Sequence, residues 1–510
     1  MGLKQRCNIV LIGIMKAVGG LAMLGLVCAA LSLSADAQTV TATIATGTSP
    51  EHVAVNPNTN KIYVTNTASA SVTVIDGATN NTTTVAAGTA PICLAVNPNT
   101  NKIYVANVAN ATSGNVTVID GATNNTTTVA VGTDPDAVAV NPNTNQIYVA
   151  NNGSNNVTVI DGATNNTTTV AVGTAPSAVA VNPNTNQIYV SNYFSGNVTV
   201  IDGATNNTTT VVAGTYPVAV AVNPNTNQIS VANDVSNNVT VIDGATNNTT
   251  TVAAGTWPYA GAVNPNTNQI SVANEGSNNV TVIDGATNNT TTVAVGTAPS
   301  AVAVNPNTNQ IYVANALSNN VTVIDGATNN TTTVAAGAWP YAVAVNPNTN
   351  QIYVVNNGSN NVSVIVGPVV STTTTLASSA NLSMSGSSVM FTATVATSGS
   401  KTPTGTVAFM DGATTLGSGT LNGSGIATYT TSSLALGQHS MTTVYGGDAN
   451  NAGSTSSVLT QTVNAADFSF TSNPTSTTVT AGHSGTFTLT VTPQGSYEPN
   501  QLLLQWIAHE

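Results

Sequence analysis

The chain has 510 residues, too many for one compact core, so several domains are expected. Only 5% of residues are charged, against roughly 25% in ordinary soluble domains, and the formal net charge is −12. Beyond Lys4, Arg6 and Lys16 the only bases are Lys61, Lys102 and Lys401. Nucleic acid and anionic membrane surfaces call for clustered Lys and Arg, so neither is an expected partner.

Residues 1–37 read as a secretory signal peptide. Lys4 and Arg6 give a positive start, Ala17 to Leu33 is apolar, and Ala35-Asp36-Ala37 offers a small-x-small cleavage pattern. A secreted or cell-envelope location is therefore expected, with no membrane insertion once the signal is cleaved. Cys7 and Cys28 lie in this leader, and Cys93 stands alone after it. One cysteine makes no intrachain disulfide, and no Cys/His spacing reads as a metal site. Cys93 sits in the apolar run Ile92-Cys93-Leu94-Ala95-Val96 and reads as a buried packing residue.

Residues 38–367 are a repeat. The core Asn-Pro-Asn-Thr-Asn begins at Asn56, Asn97, Asn141, Asn182, Asn223, Asn264, Asn305 and Asn346, spaced by 41 residues with one gap of 44. Each period holds four short β-prone runs. In the third they are Ala137–Val140, Gln146–Ala150, Asn156–Ile160 and Thr167–Val172. Four strands per ~40–45 residues is the signature of a β-propeller. The fourth-strand pattern is out of phase: its first copy, Val40–Ala45, precedes the first Asn-Pro turn, and the last set has none after it. Pairing that N-terminal strand with the last set closes eight blades. Seven blades with one displaced copy is the alternative.

Tyr63-Val64-Thr65-Asn66, variants such as Tyr104-Val105-Ala106-Asn107, and the following Val-Thr-Val-Ile-Asp-Gly runs resemble the YVTN-family propeller repeats over about 39–366. The resemblance implies a secreted or surface-layer-associated protein of bacteria or archaea. Members are commonly seven-bladed, so eight copies depart from the family pattern. The family has no shared catalytic residues to carry over.

Past Gly367-Pro368 the pattern changes. Gly405–Gly412, Leu416-Gly417, Leu436–His439 and Tyr445–Asp448 resemble a bacterial Ig-like domain, placed at 371–464. In this resemblance His439 and Asp448 are pattern positions near turns, read as structural. Residues 465–510 read as a partial second Ig-like domain.

In an up-and-down blade, the one–two and three–four turns share one rim. Here those turns are almost invariant. The two–three turns and the interblade links, on the other rim, differ from blade to blade. This variable rim carries Tyr193, Phe194, Tyr216, Trp257, Tyr259, Trp339 and Tyr341, the candidate ligand-binding residues. Exposed aromatics with few charges suit sugar stacking or a protein partner. The competing reading makes them plugs for the ends of the channel. The turn aspartates Asp76, Asp120, Asp161, Asp202, Asp243, Asp284 and Asp325 read as turn formers, since a Ca2+ site needs six to eight converging oxygens. The neighbours Asp134 and Asp136 are read as facing water. Many Asn-x-Thr triplets match glycosylation acceptors, a number that repetition explains.

No catalytic residues, cofactor or metal are assigned. The leading expectation is an exported binding or scaffold protein that presents its variable rim to a glycan or a cell-envelope protein. A secreted propeller hydrolase or lyase is the alternative, favoured by a central cleft that holds His52 with Glu51 or Asp136. A structural surface-layer subunit is the third.

Overall fold

Each repeat forms a four-stranded antiparallel sheet because both faces of its middle strands are apolar. In the third, Pro135–Asn141, Gln146–Asn151, Asn156–Asp161 and Thr167–Ala171 pair in sequence order. Side chains alternate between the faces. Tyr148, Ala150, Val157, Val159 and Val170 pack on Ile188, Val190 and Ile201 of the following blade. Ile147, Val149 and Ile160, on the opposite face, pack on Tyr104, Val116, Val118 and Val129 of the preceding one. The outermost strand is different. Its three threonines are exposed and only its valine is buried.

The computed structural model describes residues 38–494, apart from 111–112, 466, 474–477, 479, 481, 484 and 487. The signal-peptide reading of 1–37 and the chain after 494 lie outside them. Eight four-stranded sheets form the repeat region. Blades are numbered here by their innermost strands, from Pro50–Asn56 in blade one to Pro340–Asn346 in blade eight. The expected closure is present: Val40–Ala45 pairs antiparallel with Asn361–Val366 and completes blade eight. Ile44, Val362 and Val364 there share a core with Val53, Ile62 and Ile75 of blade one.

The Asn-Pro-Asn-Thr-Asn turn does more than reverse the chain. The first Asn of each turn donates its side-chain amide to Oδ1 of the last Asn in the next blade's turn, as Asn56 does to Asn101 at 2.8 Å and Asn141 to Asn186 at 2.7 Å. The bond recurs at every junction around the ring. The middle Asn donates to the next blade's proline carbonyl, as Asn143 does to Pro183 at 2.9 Å. The last Asn takes a left-handed backbone, φ 55° at Asn145, which asparagine tolerates better than most residues. These interblade contacts account for the sameness of that rim.

The other joint is less expected. The residue before each link proline also has positive φ: Ser49, Ala90, Asp134, Ala175, Tyr216, Trp257, Ala298 and Trp339. Residues with a Cβ pay a steric cost there. At five of the eight, Ser49, Ala175, Trp257, Ala298 and Trp339, the N–H donates to an asparagine of the preceding blade. At Trp257 the N–H donates to Asn237 Oδ1 at 3.0 Å and the carbonyl accepts from Glu275 N at 2.9 Å.

The 44-residue spacing lengthens one hairpin, Lys102–Asn110 with Ser113–Asp120. After the propeller comes a β-sandwich. Thr372–Ser378, Val389–Thr397 and Ile426–Thr431 make one sheet; the other is built around Gly437–Tyr445. Phe391, Val395, Phe409, Met441 and Tyr445 fill its core. Its Ser400 accepts from Asn266 Nδ2 at 3.0 Å and donates to Pro306 O at 2.8 Å, both on the invariant rim. Beyond it, Asp467–Asn473 pairs with Thr488–Gln494.

Candidate functional site

The innermost strands position the site. Each begins with the link proline, and the residue after it lies at the mouth of the central channel on the variable rim. From blade one to eight these residues are Glu51, Ile92, Asp136, Ser177, Val218, Tyr259, Ser300 and Tyr341, and all eight line one cavity of about 700 Å³. His52, Cys93, Tyr193 and Phe194 line it as well. Proline sets the start of the strand, and a register shift follows it in every blade, as between Pro135 and Ala137.

The mouth is chemically lopsided. Glu51, Asp136, His52 and Cys93 come from blades one to three. His52 and Asp136 keep accessible surface, and that surface faces the cavity. The surrounding walls still remove bulk water. Desolvation raises the Glu51 pKa and takes Asp136 up to about 6, with the Asp134 charge adding to the latter. The same desolvation holds the His52 imidazole down at about 4, so it is neutral at pH 7. Burial, then the Asp136 charge, pushes the Cys93 thiol well above its ordinary value.

One expectation is corrected here. Cys93 is not sealed in packing; it is half-buried in the cavity wall, because its strand is innermost and borders the channel. Asp134 and Asp136 are both exposed, as expected, and Asp136 also lines the mouth.

The seven rim aromatics separate into three groups. Tyr259 and Tyr341 enter the mouth and keep 40% and 43% exposure. Burial of its hydroxyl raises the Tyr259 pKa, and its pairing with Tyr341 adds to this. Tyr193, Phe194 and Tyr216 form a cluster at the mouth's edge. Tyr193 stacks on Tyr216 with centroids 4.4 Å apart, and Phe194 meets both rings edge-on. Trp257 and Trp339 are 55% exposed and do not line the cavity. Trp257 lies over Gly276, where a Cβ would come 3.0 Å from the indole. The plug reading thus fits neither tryptophan.

The turn aspartates act locally. Asp161 Oδ1 accepts from the N–H groups of Ala163 and Thr164, both at 2.9 Å, and the other six repeat this pattern. In the sandwich, His439 Nδ1 lies 2.6 Å from Asp411 and Nε2 lies 2.8 Å from Ala435 O. Asp448 caps its turn through Asn450 N and Thr404 N, both at 2.8 Å. His439 lies within the strand Gly437–Tyr445 and not at a turn.

The inward set of Glu51, Asp136, Ser177 and Ser300 was missed as a set. A signal was available: each is the residue after a link proline, at a fixed phase of the repeat.

Residues 373–464 match the bacterial Ig-like domain (group 3) family. Residues 119–215 match a family described as lactonase, 7-bladed beta-propeller, although this ring has eight. No curated protein matches the chain. Among solved structures it is similar to Saccharomyces cerevisiae Sqt1, with 8% identity and TM-score 0.55, over 66% of this chain and 100% of that one. It is also similar to Kuenenia stuttgartiensis hydrazine synthase, at 20% identity and TM-score 0.46, over 62% and 95%. The likeness to Sqt1 speaks to fold alone. No helix among the described residues is long and apolar enough to cross a membrane.

Proposed function

We propose that this is an exported binding protein of the YVTN-repeat type. Its channel mouth and the aromatics beside it hold a small ligand or the end of a glycan, and the sandwich serves as a spacer in the cell envelope. One observation carries this reading. In a chain whose repeats are otherwise nearly identical, one set of residues that differ, those directly after the link prolines, converges on one cavity. Repetition alone would give eight copies of one residue there. A cavity of this volume suits a small ligand or a few sugar units.

A glycan array probed with the full-length protein tests the reading. Tyr259→Ala/Tyr341→Ala and Trp257→Ala/Trp339→Ala run beside it. Loss of binding only in the tyrosine variant assigns the ligand to the mouth, and loss only in the tryptophan variant assigns it to the outer rim. No binding by folded wild type sinks the glycan and favours self-assembly or a protein partner.

A hydrolase is the second reading, favoured by His52, Glu51 and Asp136 lining one cavity and by the lactonase-family match. A neutral His52 is free to accept a proton, although a pKa of about 4 makes it a weak base. Yet no carboxylate hydrogen-bonds its ring among the described residues, so an orienting partner is lacking. Turnover of a lactone panel that disappears in His52→Ala would replace the binding reading with this one.

A further inference from the structure

The charge of the variable rim is unbalanced. It carries Glu51, Asp134, Asp136, Asp234 and Glu275, and no Lys or Arg. Lys61 and Lys102 sit at the other end of the blades, where their Nζ groups donate to Gly121 O and Gly162 O at 2.8 Å. Among the described residues the only salt bridge is His439–Asp411, in the sandwich. Glu51 and Asp136 thus lie in a partly desolvated cavity without a counter-cation.

The neutral groups of the mouth point the same way. Ser177 Oγ donates to Pro217 O and Ser300 Oγ to Pro340 O, both at 2.9 Å. Their protons are committed to the next blade, and their oxygens remain as acceptors. Tyr259 and Tyr341 add ring faces. The mouth offers acceptors and aromatic surface, and its one imidazole is uncharged at pH 7.

We infer that the channel mouth binds a ligand carrying a protonated amine, held between the carboxylates of Glu51 and Asp136 and the rings of Tyr259 and Tyr341. This rests on the mouth being the binding site. An ammonium donates up to three hydrogen bonds, suits the carboxylates and serine oxygens of the lining, and supplies the missing positive charge. Tyrosine faces attract cations within ~6 Å of the ring centroid. The acidic rim draws such a ligand in and repels anions. An amino sugar and a linear polyamine share this chemistry.

The test is calorimetric titration of the full-length protein with three probes: a fully deacetylated glucosamine tetramer, its N-acetylated twin, and putrescine. The deacetylated tetramer is expected to bind at least tenfold more tightly than the twin. Glu51→Gln/Asp136→Asn is expected to remove that preference without lowering the melting temperature. Putrescine binding assigns recognition to the amine alone, and its absence beside a bound tetramer assigns an amino sugar. Equal binding of the two tetramers would overturn the amine inference and leave the mouth reading standing. Failure of both amine probes would overturn it as well, and the glycan array would then decide the fate of the mouth.

Discussion

Asn346 donates its side-chain amide to Oδ1 of Asn60 at 2.7 Å, joining residues 286 positions apart and closing the ring. It is the same bond that joins Asn182 to Asn227 between neighbouring blades. The closing junction therefore has no special chemistry. Asn346→Ala and Asn182→Ala are each expected to cost about 1–2 kcal/mol, the usual price of a buried amide left without its partner. Denaturant unfolding with equal losses would bear this out. A much larger loss at Asn346 would show the closing junction to be the weak one.

Ala90 tests the links. It holds φ at 50° before Pro91, where an L side chain is strained. Ala90→Gly is expected to raise stability by about 0.5–1 kcal/mol, even though glycine has more freedom in the unfolded chain. Thermal unfolding reads the sign, and a loss would mean that the Ala90 methyl contributes more packing than strain.

Gly261 tests the mouth. It occupies the position held by Val302 and Val343, which line the cavity, and a Cβ built on it meets nothing within 4 Å. Gly261→Val is expected to leave stability unchanged or up to ~1 kcal/mol higher, since valine favours strands. It should weaken amine binding several-fold by narrowing the channel beside Tyr259. Unchanged affinity in titration would place the ligand nearer the opening.

The sandwich supplies a pH test. Turn hydrogen bonds hold the Asp448 pKa at about 2 despite partial burial. Its folded value lies below its unfolded value of ~3.9, so its stabilisation is present above pH 4 and disappears as pH falls toward 2. Asp448→Asn is expected to cost about 1–2 kcal/mol at pH 7, a figure discounted for partial exposure. The deficit should shrink at pH 2 in calorimetric scans. His439 acts oppositely: Ala435 O and Asp411 raise its pKa, so its contribution is present below ~6.5 and fades as pH rises through the folded value.

Much of the architecture was legible because it is written eight times. Period, strand count and the displaced Val40–Ala45 strand together specify the closed ring, and turn chemistry placed the two rims. The roles of individual polar residues were less legible. A sequence shows that Asn141 precedes a proline, but not that its amide reaches Asn186 in the next blade. Positive φ at Trp257 or Ala90 is invisible, since neither residue favours it and the bonds that accompany it come from distant turns, Asn237 and Glu275 at Trp257 and Val108 at Ala90. The mouth was half legible. Its tyrosines stood out as rare aromatics, while Cys93 resembled core until its strand proved to border the channel.

The interblade asparagine pair has a genetic consequence. Every 41-residue unit carries both halves of the joint, one facing forward and one facing back. An in-frame duplication or loss of a unit therefore yields a chain whose every junction is still matched. Because the closing strand comes from the opposite end of the chain, such an event leaves the seam untouched. Selection could then change ring size in single steps, and the mouth would gain or lose one residue each time.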